Sequence, residues 1–87
     1  MGPAVPRFKW IEWNLDKIAG HGLFSEDVEH AFDHRLEEHQ EREDGSFETI
    51  GSTPSGRCIL IVWRYDEEFE ALEPGHVEDV VFVITAF

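Results

Sequence analysis

The sequence predicts an α+β domain: one strand, two short helices, then three or four antiparallel strands, with the helices covering one face of a twisted sheet. Three observations carry this. Helix-period apolar spacing is confined to residues 15–32. Two later runs, residues 57–65 and 77–87, are apolar on both faces, as strands covered on two sides are. Turn chemistry separates the β segments, at Thr53-Pro54-Ser55-Gly56 and again at Pro74-Gly75.

Taken in order, residues 8–13 place Phe8, Trp10, Ile11 and Trp13 in a first strand, with Ile11 breaking strict alternation. Asn14 is the expected N-cap of a short helix, in which Leu15, Ile18 and Ala19 share one buried face. Gly20 and Gly22 can take positive φ and stop it. Ser25 is the expected cap of the second helix. Glu26 and Asp27 favour its first turn through the helix dipole. Val28, Ala31 and Phe32 form its apolar stripe, with Glu29 and Asp33 toward water. The acidic residues 37–44 read as an exposed edge strand or a loop, because edge charges discourage unwanted pairing. Residues 47–52 are a strand and 57–65 a central one. Residues 66–73 are an acidic connection, and residues 77–87 form the last strand. Gly51 and Gly56 read as hairpin punctuation, and Ser46, Ser52 and Ser55 flank turns.

Eighty-seven residues suffice for one domain, here residues 8–87 behind a flexible N-terminal arm, residues 1–7. Apolar residues make up 41%, with three Trp and seven Phe, too many for a disordered chain. No run of ~18 apolar residues occurs, so no membrane span is expected. The single cysteine, Cys58, has no intrachain partner and reads as a buried small hydrophobe in a reducing, cytoplasmic setting. The formal net charge is −12, so long-range attraction to a phosphate backbone is not expected. A local basic cleft still acts at short range, since screening confines fields to about 8–10 Å. A basic protein partner fits the overall charge.

The strings Trp13-Asn14-x-x-Lys17-Ile18-x-x-His21-Gly22, Ser25-Glu26-Asp27-Val28-Glu29, Gly51-x-Thr53-x-x-Gly56-Arg57 and Val83-Ile84-Thr85-Ala86 resemble the BrnT toxin family, in that family's order. The resemblance covers residues 8–87. It implies a RelE-like fold, with two short N-terminal helices packed on a small antiparallel sheet. It also implies metal-independent cleavage of messenger RNA, and a cognate antitoxin that binds the toxin and represses their shared operon. Carried onto this sequence, its functional residues are His21, Lys17, Arg57 and Arg64, and no cofactor is implied. Attack of a 2′-OH on the adjacent phosphate wants a base, a cation on the developing charge, and an acid for the leaving oxygen. His21 can act as acid or base near neutral pH. Lys17 and Arg57 can bind phosphate, the arginine through paired donors.

One position departs from the family pattern. An arginine follows the alanine there, and Phe87 follows Ala86 here. Loss of such a cation raises the barrier by several kcal/mol if it stabilises transition-state charge. Two readings therefore stand: an RNA-cleaving toxin, or a silent relative whose acidic surface binds a basic protein such as a DNA-binding regulator. The sheet edge leaves room for a homodimer.

The same residues have structural readings. His21 before Gly22 can end a helix, where a cation is favourable. Lys17 can be a solvated helix residue, Arg57 a strand-edge residue, and Arg64 the partner of an acidic neighbour. Trp10, Trp13 and Trp63 can stack bases, but interleaved with aliphatics they read as core. His30 and His34 have metal-ligand spacing, yet no Cys pair or His-Glu-x-x-His pattern accompanies them, and no metal is expected.

Overall fold

A computed structural model describes residues 7–66 and 80–87. The elements are β1 (Arg7–Lys9), α1 (Glu12–Ala19), α2 (Ser25–Asp33), β2 (Gln40–Glu41), β3 (Phe47–Ser52), β4 (Cys58–Tyr65) and β5 (Val80–Ala86). They build one five-stranded sheet in the order β1-β5-β4-β3-β2. The α+β class is as expected, but the sheet is mixed rather than antiparallel, because β1 pairs parallel with β5, Phe8 opposite Val81. Arg7, assigned to the arm on sequence, is already part of β1. The rest of that arm, the Pro74-Gly75 turn and most of the acidic connection lie outside the described residues. No helix among the described residues is long and apolar enough to cross a membrane.

α1 begins before its expected cap, and α2 begins at its expected cap, one residue early. α1 starts at Glu12, so Trp13 is helical rather than the end of a strand, and Asn14 is the third helical residue. The Asn14 side chain reaches back instead. Its Oδ1 accepts the Ile11 N–H at 2.7 Å, and its Nδ2 donates to the Lys9 carbonyl at 2.8 Å. α2 repeats the device, with the Phe24 N–H donating to Asp27 Oδ2 at 2.9 Å, so Ser25 is helical and not the cap. In each case a side chain from the third position satisfies an orphan donor at the helix start.

Each β4 residue alternates across the sheet. Ile59, Ile61 and Trp63 point to the face that receives α2, joined by Val81, Val83 and Ala86 of β5 and by Val28, Ala31 and Phe32 of α2. The α2 stripe read from sequence is therefore the core contact. α1 differs: only Asn14 and Ile18 are buried, and Leu15 and Ala19 are exposed, because α1 lies along β5 and not flat on the sheet. Val83 pairs with Trp63 and Thr85 with Val62, leaving Ile84 as an extra bulged residue on β5. The bulge keeps Ala86 on the core face and sends Phe87 to the opposite one.

Gly51 is not hairpin punctuation. It lies inside β3 where the α2 backbone crosses, and a Cβ there would fall 1.8 Å from the Ala31 carbonyl oxygen. Around it, Leu36 N–H donates to Ile50 O at 2.8 Å and the His30 ring bonds to Ser52 O at 2.9 Å. The expected turn does form at 53–56, with the Gly56 N–H donating to Thr53 O at 2.9 Å and Gly56 at φ +88°. Asp66, the first residue of the expected acidic connection, follows β4 directly. Its carboxylate is buried and pairs with Lys9 Nζ at 2.9 Å, tying the end of β4 to β1. Cys58, expected in the core, is exposed at the start of β4.

Candidate functional site

The end of α1 is shaped by Gly22. The chain reverses there in a Schellman closure, the Leu23 N–H donating to Ile18 O at 3.1 Å and the Gly22 N–H to Ala19 O at 2.9 Å, with Gly22 at φ +74°. Gly20 stays right-handed. Leu23 is buried and anchors the closure, which leaves His21 exposed on the outer side.

Arg57 reaches this point from the turn between β3 and β4. Its Nη1 donates to the His21 carbonyl at 2.9 Å across 36 residues of sequence. The His21 ring lies 5.7 Å from the Phe87 ring. The structure thus brings together two of the four predicted site residues directly, with the arginine engaging the backbone and leaving the imidazole unbonded. Among the described residues no hydrogen bond is made by either His21 ring nitrogen.

Lys17 lies one turn before His21, and its ammonium sits 5.3 Å from the centre of the Trp13 ring. Trp13 in turn stacks on Phe82 of β5, with centroids 5.9 Å apart and planes within 16°. The Arg64 guanidinium covers Phe82 at 4.9 Å. Arg64 therefore belongs to a column of Lys17, Trp13, Phe82 and Arg64, and not to the His21–Arg57 contact. It pairs with no acidic neighbour among the described residues. A cavity of about 300 Å³ opens beside it, bounded by Tyr65, Ile84 and the Asp44–Ser46 turn.

These two groups form one strip. Trp13, Lys17 and His21 recur every four residues; Trp13 and Lys17 share a face of α1, and His21 follows in the turn that closes it. α1 runs beside β5 in the same direction, Trp13 meeting Phe82 at one end and His21 meeting Phe87 at the other. β4 runs opposite, which delivers Arg64 to the first end and Arg57 to the second. Lys17, Arg57 and Arg64 form no ion pair with a carboxylate among the described residues, and neither does Arg35 beyond α2, whereas Lys9 and Arg42 are paired.

Of the tryptophans read as core, Trp63 is buried, Trp10 is half-buried with its Nε1–H on Glu29 Oε2 at 2.8 Å, and Trp13 is 47% exposed. Phe82 and Phe87 are strip residues that sequence reasoning missed, and Trp13, weighed there for base stacking, was read as core. The signal available was the four-residue spacing of Trp13, Lys17 and His21, hidden by assigning Trp13 to a strand.

His30 and His34 stack face to face, 4.0 Å apart and within 10°. Each Nδ1 bonds a carbonyl oxygen at 2.9 Å, of Ser52 and of His30 respectively. Their remaining nitrogen lone pairs lie in parallel ring planes and do not converge on one point, so the pair does not chelate. Among the described residues no group of three or more His, Cys, Asp or Glu side chains could hold a metal ion. His39 is set into the core edge. Its Nδ1 bonds the Thr49 hydroxyl at 2.5 Å, and that hydroxyl also accepts the Trp63 Nε1–H at 2.8 Å. Burial first, then the nearby Arg35 charge, holds the His39 imidazole below its usual range, against a smaller opposing pull from Glu38. Comparison with protein-family models, with curated proteins and with solved structures finds no match to this chain.

Proposed function

We propose that the chain is a BrnT-like, RelE-type domain that binds and cleaves RNA along the α1–β5 strip without a metal, and that a cognate antitoxin or other small basic protein holds it in check. One observation carries the reading. In a chain of net charge −12, three cations with no carboxylate partner among the described residues line up with aromatic rings on one face. Solvating cations for their own sake would scatter them among the nineteen Asp and Glu. The element order and the four sequence strings support the family assignment.

The chemistry assigns itself by position. His21, with free ring nitrogens, takes the 2′-OH proton as the 2′ oxygen bonds to phosphorus. The bond from phosphorus to the 5′ oxygen breaks, and that oxygen takes a proton from solvent or from Lys17. Arg57 offers its remaining donors to the phosphate oxygens, where charge grows in the transition state. The test is cleavage of a mixed-sequence RNA in the presence of EDTA. Wild type is expected to cleave and His21→Ala to lose most activity. A folded wild type that leaves RNA intact would remove the catalytic part of the reading.

A second reading rests on the free edge of β2, where Glu41, Glu43 and Asp44 are exposed beside Glu48. There the domain is a silent relative that binds a basic partner through its acidic edge. Steeply salt-dependent binding of that partner, lost on reversing Glu41 and Glu43 to lysine, distinguishes it.

A further inference from the structure

We propose that Trp13 is a base-stacking, positioning residue for single-stranded RNA, and that Lys17 occupies its ring only until a base replaces it. The proposal rests on the RNA-acting reading above and adds a residue to it.

Trp13 is held as a platform. Its indole is 47% exposed, yet it stacks on Phe82, which is itself 8% exposed and fixed in β5. A ring backed by a buried ring loses little freedom when a ligand stacks on it. The Lys17 ammonium over the indole makes a solvated cation–π contact, which is weaker than stacking of a nucleobase on an aromatic side chain. A base therefore displaces the ammonium, and the lysine's flexible stem lets it swing to the adjoining phosphate. A second aromatic station follows at His21 and Phe87, with Arg57 beside it. From Trp13 to the end of α1 at Ala19 the helix rises about 9 Å, and the closing turn through Gly20 carries the chain on to His21. That length holds about three nucleotides at ~3.4 Å each if they stay stacked.

The strip selects an anion carrying planar rings. A basic protein drawn to the chain's overall charge would meet Lys17, Arg57 and Arg64 here and be repelled. A duplex hides the faces of its bases, so the ligand is a single strand.

The experiment titrates wild type, Trp13→Leu and Trp13→Phe with two labelled ten-nucleotide strands, read by fluorescence anisotropy. One is 2′-O-methyl oligoadenylate, which cannot undergo 2′-OH attack. The other is the same strand with its central bases removed. Wild type is expected to bind the complete strand about tenfold more tightly than the base-free one. Trp13→Leu, which still covers Phe82, is expected to bind both alike at the weaker level, and Trp13→Phe to recover part of the difference. Circular dichroism confirms folding. If Trp13→Leu fails to fold, the phenylalanine variant decides, because a reduced preference for the complete strand supports stacking and an unchanged one overturns it. Equal binding of both strands by wild type overturns the stacking role and leaves the RNA reading standing. No binding of either strand overturns both.

Discussion

Replacing Gly51 by alanine puts a methyl carbon where the backbone of α2 already lies. The added carbon would be 1.8 Å from the Ala31 carbonyl oxygen and 2.6 Å from its carbonyl carbon. Relief requires α2 and β3 to separate by more than an ångström, and neither can yield through a side-chain rotation. Separation would loosen Leu36 N–H to Ile50 O and the His30 ring to Ser52 O, and withdraw Val28, Ala31 and Phe32 from Ile59 and Ile61. Ordinary overpacking costs about 1–3 kcal/mol, and a backbone clash belongs at the top of that range or above it. About 3 kcal/mol lowers the melting temperature of a domain this size by roughly 12–24 °C. Thermal and urea unfolding, followed by circular dichroism, measure the loss. Gly45→Ala is the control. Unlike Gly51 it has a positive φ, +86°, but nothing lies within 4 Å of the added carbon, so only about 1 kcal/mol of backbone strain is expected. A Gly51→Ala protein within 1 kcal/mol of wild type would refute the close crossing of α2 over β3.

Asn14→Ala removes both the acceptor for Ile11 N–H and the donor to Lys9 O from a fully buried position; a loss of about 1–3 kcal/mol is expected in urea unfolding. Lys9→Met removes the ammonium 2.9 Å from the Asp66 carboxylate, whose side chain is only 2% exposed; the expected loss is about 2–4 kcal/mol, and a neutral result would show that the carboxylate does not depend on Lys9. His39 gives a pH prediction. Its folded pKa lies below the unfolded value, so the unfolded chain binds the proton first as pH falls. The neutral His39 contribution is complete above about pH 6.5 and is lost as pH drops from there through the lowered folded value. Wild type should therefore lose stability faster than His39→Gln over that window, and parallel stability curves would contradict the assignment.

The elements legible in the sequence are those whose signals are local. Val28, Ala31 and Phe32 stand at helical spacing and are the core stripe; Thr53 to Gly56 carry turn chemistry and form the turn; residues 57–65 are apolar on both faces, and β4 within them is the central strand, with β5 and β3 on either side. What could not be read depends on distant contacts. The parallel pairing of β1 with β5 joins segments more than seventy residues apart. The helix starts are fixed by Asn14 and Asp27 reaching back to Ile11 and Phe24, whereas the usual preference puts the polar residue at the cap itself. Leu15 and Ala19 had the spacing of a buried face, but α1 flanks β5 and leaves them outside. Gly51 resembled turn punctuation because nothing in the local sequence announces a crossing backbone. For the candidate site, Lys17, His21, Arg57 and Arg64 were singled out one by one. Their arrangement came from the direction of α1 beside β5 and from the bulge at Ile84, which together bring Trp13, Phe82 and Phe87 among them.

The most direct test of the central claim is an amide NMR titration of the wild-type chain with 2′-O-methyl oligoadenylate. The account predicts shifts along one strip, at Trp13, Lys17, His21, Arg57, Arg64 and the neighbouring residues of β5. Shifts confined to the acidic β2 edge, or no shifts at all, would contradict it.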